Sequence, residues 1–332
     1  MENDMRYLFG FPAAGSGPNV YSIWKERLRD TAVFHQISYN SGFHPGVPYC
    51  DNMKDAAELS AREIRSLIQA GDEIWFFGHC MGAGVAYETA VRLKETDGIT
   101  IKGLFFSAFI APDVPIKDGI ADWDDASFAE EIHNHGTFPE EFFTNPALLK
   151  LFLPKIRADY RLIETYCDHR HVVLDCPIVG FFGRDDESVP LRDLEGWAKY
   201  TSVSFTPVFF PGNHYFYYDH QPEIIDTIKE MINSGRKEKH MEDRIKQLLA
   251  ETIEDSSNMA SWNSDTDIIN EIGLDSLQMV RFLLKLEDEL GIQIDYDHLD
   301  FDDLTSIGSL AAFVQRCEEV IRFSSPQTHQ TP

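Results

Sequence analysis

Nine residues, FFGHCMGAG (76–84), set Cys80 between Gly78 and Gly82. The pattern G-x-nucleophile-x-G, after an apolar run and before a helical one, belongs to a sharp strand-to-helix turn that lifts one side chain above a sheet. A thiol at that helix start is favoured as thiolate by the dipole and attacks acyl carbonyls. Such a nucleophile needs an orienting carboxylate and a histidine base, following it in that chain order. FFGRDDESVP places Asp186 after one apolar run, with Asp185 as its competitor, and FFPGNHYF places His214 after the last. Asp186 is preferred because it lies three residues after Gly183 and three before Val189-Pro190. An oxyanion hole requires two backbone N–H groups. Met81, next after Cys80, supplies one. GFPAAGSG (10–17) supplies the other, from Ala14 or, as the alternative, Ala13. That stretch lacks the G-K-[ST] ending of a phosphate-binding loop.

These residues need a scaffold, and the chain from Tyr7 to about Asn233 alternates short apolar runs with amphipathic ones. YLFGF, VFHQIS, EIWFFGH, IKGLFFSAF, CPIVGFFG and VSFTPVFF read as strands, and DAAELSAREIRSLIQA, GAGVAYETAVRLKE and PEIIDTIKEMIN as helices between or after them. This is the pattern of an α/β fold with a parallel sheet. From about Ala111 to Asp175 the alternation gives way to consecutive helices, an insertion of the kind that forms a lid. Its aromatic stretch FPEEFFTNP, like NHYFYY further on, suits a lid core better than an acyl channel. A polar, charged stretch then marks a linker at 235–240. A small helical unit follows over 241–323, and residues 324–332 read as a disordered tail.

Composition excludes several classes. A net charge of −26 over 332 residues argues against nucleic acid and anionic membranes, and no apolar run approaches the roughly 18 residues of a membrane span. No signal peptide is expected in MENDMRYLFGFP, so a cytoplasmic location follows, with reduced thiols. Cys50, Cys167, Cys176 and Cys317 are expected to be structural. The histidines of HNH (133–135) and HRH (169–171) lack carboxylates or cysteines at ligand spacing, and no metal is expected.

LFGFPAAGSG, FFGHCMGAGVAYETA, LPKIRADYRLIETY, DCPIVGFFGRDDESVP and FFPGNHYFYY resemble, in order, the type II thioesterases of nonribosomal peptide and polyketide assembly lines. The resemblance covers about residues 5–233 and includes the lid stretch around Arg157 and Tyr166. It implies an α/β-hydrolase with a helical lid that acts on acyl groups tethered to carrier proteins. Cys80 departs from the family, in which serine is usual.

A second candidate site is Ser276 in IGLDSLQMV, at the start of a strong helix. By local chemistry alone it reads as a helix N-cap. The run DTDIINEIGLDSLQMVRFLLKLEDELGIQI with DDLTSIGSLAAFV, however, resembles acyl carrier proteins, small all-α four-helix domains. That resemblance implies a 4′-phosphopantetheine arm on Ser276, attachment by a phosphopantetheinyl transferase, an acidic helix after Ser276 as docking face for that transferase and for partner enzymes, and carrier proteins of an assembly line as partners.

The cysteine then acquires a meaning. Serine attack on a thioester gives an oxygen ester, a downhill step that leaves water as a natural acceptor. Cysteine attack gives another thioester of similar energy, so exchange between two pantetheine arms runs nearly level. The expected activity is transfer of an acyl or aminoacyl group between a separate carrier and Ser276 through Cys80. The alternatives are a cysteine thioesterase that hydrolyses carrier-bound thioesters, and a carrier protein joined to a catalytically idle docking module.

Overall fold

The computed structural model describes residues 5–17, 19–39, 49–50, 52–116, 119–134, 138, 140–190, 194–296 and 299–324; of 236–239 and 318–324 it describes the backbone alone. Six parallel strands, β1 (Arg6–Phe11), β2 (Val33–Gln36), β3 (Glu73–His79), β4 (Gly103–Ser107), β5 (Ile178–Gly183) and β6 (Phe205–Phe210), pair in the order β2-β1-β3-β4-β5-β6. Five fall within the runs expected from their apolar and branched residues, and β1 begins one residue earlier, at Arg6. The inner strands β3, β4 and β5 are buried along nearly their whole length, as a sheet covered on both faces requires.

Among the described residues, the α-helices that precede the C-terminal ones are α1 (Trp24–Arg27), α2 (Met53–Leu67), α3 (Met81–Asp97), α4 (Asp125–Asn134), α5 (Glu140–Thr144), α6 (Pro146–Glu164) and α7 (Phe216–Asp219). Asn52 caps α2 by accepting the Asp55 N–H, and Met53, Ala56, Ala57, Ala61 and Ile64 bury one face. Helix α3 is buried on almost every side, its small residues allowing close approach to the sheet, and stops at Gly98 in the left-handed conformation.

Helices α4 to α6 form the expected lid, with its own core of Phe128, Ile132, Phe142, Leu153 and Ile156. Arg157 of α6 ties the lid together: its guanidinium donates to the Ala121 and Trp123 carbonyls and to Asp125, and lies 4.3 Å from the centroid of the Phe128 ring. Beyond α6, Tyr166 and Arg170 both donate to the buried carboxylate of Glu88 on α3, fastening the end of the lid to the main fold.

The chain divides into two compact units, with the boundary between Lys229 and Glu230. That boundary lies within α8 (Gln221–Ile253), so residues 235–240, expected as an irregular linker, are helical. Gly235 did not end the helix: a single glycine in a helix interior costs only about 1 kcal/mol against alanine. The second unit contains the rest of α8, α9 (Ser276–Leu290), α10 (Ile307–Ser324) and two 3₁₀ turns, Met259–Ser261 and Phe301–Leu304. The later turn stands where the remaining short helix of a four-helix unit belongs. Ile245, Leu248 and Leu249 of α8 pack with Phe282 and Leu286 of α9 and Leu310 and Val314 of α10. Residues 325–332 of the expected tail lie outside the described residues.

Candidate active site

The backbone of Cys80 has φ 52 and ψ −124, a strained conformation for a non-glycine residue, and its N–H donates to the Ser107 carbonyl at the end of β4 (2.8 Å). Both flanking glycines are required by contact. A Cβ on Gly82 would lie 2.1 Å from the Phe11 carbonyl oxygen, and one on Gly78 would lie 2.3 Å from the Gly82 carbonyl oxygen. The turn between β3 and α3 therefore closes only with glycine at both positions. It leaves Cys80 as N-cap of α3 with no side-chain capping bond, so the sulfur is not used up locally.

His214 follows β6 and Asp186 follows β5, and the two meet: Nδ1 of His214 is 2.8 Å from Oδ2 of Asp186. The imidazole shares one cavity with the Cys80 side chain, which acts on its protonation. Burial pushes the imidazole's pKa down, but Cys80, with the hydrogen bond and charge of Asp186, outweighs it and raises the value to about 10. Burial works to raise the Asp186 pKa; hydrogen bonds from His214 and Ser188 hold it below the usual carboxylate value. The surroundings therefore favour a charged imidazole on His214 beside an ionised Asp186.

The competitor Asp185 does other work. Its carboxylate accepts the Gly212 N–H at 3.3 Å, bracing the turn that carries His214. Sequence reasoning missed Ser188. Its hydroxyl donates to Asp186 Oδ1 (2.6 Å) and lies 3.0 Å from His214 Nδ1, while its N–H donates to the same Oδ1 (3.0 Å). A serine two residues after an aspartate is the available signal, since such pairs close Asx turns.

Met81 begins α3, where its N–H has no intrahelical acceptor. Ala13 and Ala14 lie with Cys80 and His214 on one cavity of about 520 Å³. Its apolar side includes Phe109, Ile110 and Ile163, and Tyr160 of the lid helix faces it as well. The two aromatic stretches divide: Phe142 belongs to the lid core, whereas Tyr215 and Tyr218 line the cavity. His79 is buried beneath the turn, stacked on Tyr217 with centroids 4.6 Å apart, its Nδ1 3.1 Å from the Ser107 hydroxyl. Burial and the neighbouring His214 lower its pKa to about 3, so it stays neutral and does not compete as base. No disulfide joins any of the five cysteines, all of which lie among the described residues.

Ser276 is not the cap of α9. Asp275 is: its carboxylate accepts the Gln278 N–H (2.8 Å), and the Gln278 side chain accepts the Asp275 N–H (3.0 Å), a complete capping box. Among the described residues the exposed Ser276 hydroxyl makes no hydrogen bond. A free hydroxyl at the first position of a helix, where the dipole favours anions, fits a phosphodiester-linked arm. The helix after Ser276 presents apolar as well as acidic side chains. Glu287 accepts the Ile294 N–H and Glu289 pairs with Arg244, whereas Leu277, Val280 and Leu284, one helical face beside Ser276, are more than half exposed.

Comparison with known proteins agrees with both units. Residues 6–232 match the thioesterase domain family and residues 243–314 the phosphopantetheine attachment site family, whose serine carries 4′-phosphopantetheine covalently. Thioesterase PikA5 of Streptomyces venezuelae is 30% identical over 226 residues, covering 66% of this chain and 78% of that protein. Gramicidin S biosynthesis protein GrsT of Aneurinibacillus migulanus is 28% identical over 222 residues, 66% of this chain and 86% of that protein. The crystal structure of ClbQ from the colibactin NRPS/PKS pathway superposes with a TM-score of 0.65 at 28% identity, covering 70% of this chain and 98% of that one. A parallel sheet with its nucleophile turn, a helical lid and a match over most of the chain together place this protein in the thioesterase domain family of α/β-hydrolases, with a helical phosphopantetheine-attachment unit after it.

Proposed function

We propose that the protein is an acyltransferase that moves an acyl or aminoacyl group between a separate carrier protein and its own carrier unit at Ser276, through a thioester on Cys80. The observation that carries this reading is a cysteine on the same cavity as the His214–Asp186 pair, in a chain that also presents, at a phosphopantetheine attachment site, a serine not used as a cap. The Cys80 thiolate attacks the carbonyl carbon of the incoming thioester. A new C–S bond forms, the carbonyl electrons move onto oxygen, and the N–H groups of Met81 and Ala14 stabilise that charge. Collapse of the intermediate breaks the C–S bond to the departing carrier thiol, which takes the proton of the His214 imidazolium. The return half-reaction reverses these roles: His214, oriented by Asp186, takes the proton of the acceptor thiol as it attacks the Cys80 thioester. A 4′-phosphopantetheine arm on Ser276 supplies a thiol that holds an acyl group as a thioester.

The names of relatives and neighbours, from gramicidin S biosynthesis to the colibactin pathway, support a place in nonribosomal peptide or polyketide biosynthesis. Its partners there are carrier proteins, docked on Leu277, Val280 and Leu284 or recognised by the thioesterase unit, and a phosphopantetheinyl transferase that modifies Ser276. A second reading, hydrolysis of carrier-bound thioesters through Cys80, is favoured by the thioesterase names of the relatives. Peptide-resolved mass spectrometry of the phosphopantetheinylated protein, mixed with an acyl-loaded separate carrier, separates the two. Acyl mass on Ser276, lost in Cys80→Ala and Ser276→Ala and passing through Cys80, is the expected result. Free acid with Ser276 unloaded refutes transfer in favour of hydrolysis, and an unchanged acyl flux in Cys80→Ala leaves only the docking module.

A further inference from the structure

Two charged side chains are buried in the lid helix α6, and the site described above does not account for them. Lys155 and Asp159 stand one helical turn apart and pair at 2.9 Å between Nζ and Oδ2, both nearly inaccessible to solvent. A buried ion pair rarely stabilises a fold better than apolar residues of the same shape. The same oxygen, Asp159 Oδ2, accepts the Gly15 N–H at 2.9 Å, across 144 residues of chain. Gly15 belongs to the loop after β1, the proposed source of the second oxyanion donor.

The loop is a turn with Ala14 and Gly15 at its centre, closed by the Ser16 N–H on the Ala13 carbonyl (3.1 Å). Gly15 takes φ +71, the conformation that type II turns require at their third residue. The central Ala14–Gly15 peptide of a β-turn has two orientations, and an acceptor on its N–H selects one of them. Asp159 is that acceptor, and its ion pair with Lys155 makes the hydrogen bond a charge-assisted one, stronger than a neutral bond. The lid also presses on the same point: a Cβ at Gly15 would lie 2.5 Å from the Phe138 ring and 3.5 Å from Ile156. Upstream, Tyr21 donates to the Phe11 carbonyl (2.7 Å) and Tyr39 to the Pro12 carbonyl. The loop is therefore held from the main fold as far as Pro12 and from the lid at Gly15, with Ala13 and Ala14 between the two anchors.

We infer that Asp159 is a positioning residue which, paired with Lys155, couples the lid helix to the oxyanion loop: it fixes the Ala14–Gly15 peptide and so, with the main-fold anchor at Pro12, confines the Ala13–Ala14 peptide that carries the Ala14 N–H. The inference rests on the proposed role of Ala14 and extends it: the lid does more than cover the cavity, because its helix holds half of the oxyanion hole.

The test compares two double variants in the full-length chain. Lys155→Met/Asp159→Leu removes the ion pair and the acceptor at similar volume, whereas Lys155→Met/Asp159→Asn removes the charges but keeps an acceptor oxygen. Single-turnover acylation of Cys80 by butanoyl-pantetheine and alanyl-pantetheine is followed by intact mass, alongside alkylation of Cys80 by iodoacetamide, which needs no oxyanion hole. Losing one oxyanion donor slows acyl transfer about 100-fold or more. The leucine variant is therefore expected to acylate about 100-fold more slowly, with alkylation within about 2-fold of the parent and most of the acylation rate restored in the asparagine variant. Acylation at the parental rate in the leucine variant, an equal fall in acylation and alkylation, or no recovery with asparagine each overturns the inference. If the leucine variant does not fold, amide exchange in the parent decides: a protected Gly15 N–H supports the coupling, and one exchanging like an open loop overturns it. A parent protein whose Cys80 alkylates but never acylates fails at the level of the proposed function, and the inference falls with it.

Discussion

Replacing Cys80 by alanine is predicted to lower the pKa of His214 from about 10 into the neutral range. Burial opposes the imidazolium, so the raised value depends on its partners, foremost Cys80. Two unit charges about 4 Å apart in an effective dielectric near 20 contribute about 4 kcal/mol, equivalent to about 3 in pKa. Without the sulfur, His214 should titrate near about 7, supported by Asp186 alone. The assay is carbon-13 NMR of the imidazole rings from about pH 5 to about pH 11, with the His214 resonance assigned from His214→Gln and with neutral His79 as internal reference. Cys80→Ser should give the same fall, because serine does not ionise. The functional corollary is that the resting enzyme holds a proton on His214 at neutral pH, ready for the departing thiol. An unchanged His214 titration in Cys80→Ala, or a value near 6.5 in the parent, would refute the dependence of the imidazolium on Cys80.

Three other outcomes follow from the same geometry. Cys80→Ser should divert the acyl group from Ser276 to water, read as free acid in the carrier assay; retained transfer without hydrolysis would contradict the energetic argument for the thiol. Ser188→Ala removes a charge-assisted hydrogen bond to Asp186, worth about 1.5–3 kcal/mol, so kcat should fall about 10- to 100-fold with KM little changed and Ser188→Thr rescuing most of it; a KM effect alone would mean Ser188 touches substrate instead. Asp186 has a folded-state pKa below its ordinary 3.8, so the unfolded chain takes up the proton first as pH falls. Its stabilisation is whole above about pH 4 and is lost as pH drops through the folded value, so Asp186→Asn should flatten the acid limb of the stability curve measured by denaturant titration; an unaltered limb would show that Asp186 is not held down by His214 and Ser188.

Much of this organisation was legible because it is written locally. Each strand is a short branched and aromatic run, and Gly78 and Gly82 mark a turn that admits no other residue. The Cys80, Asp186 and His214 contexts needed only chain order. What was not legible depends on contacts across the chain or on competing caps. Lys155 and Asp159 have the spacing of an ordinary surface pair on a helix, and only the fold shows them buried against Gly15. The helix through residues 235–240 runs on past a glycine because flanking helical residues outweigh one poor former. Local chemistry alone made Ser276 an N-cap, and only the resemblance of the surrounding unit pointed to an attachment serine; the structure supplies the reason, since Asp275 precedes it and Gln278 completes the box.

The two reactive side chains solve the same problem in different ways. Both stand at the start of a helix, where side-chain oxygens and sulfurs are ordinarily drawn into satisfying the free N–H groups of the first turn. At α3 the positive φ of Cys80 turns the side chain away from that role, and the cost of the conformation is met by glycines that let the strand, helix and oxyanion loop close around it. At α9 no strain is needed, because Asp275 and Gln278 take over the capping and leave the next hydroxyl exposed. The difference suits the proposed chemistry. A catalytic sulfur must be held in one direction against His214 through both half-reactions, and a strained backbone on a buried sheet provides that. A carrier hydroxyl must instead be open to a modifying enzyme and then hold a long arm, for which an exposed first turn flanked by Leu277 and Val280 is sufficient.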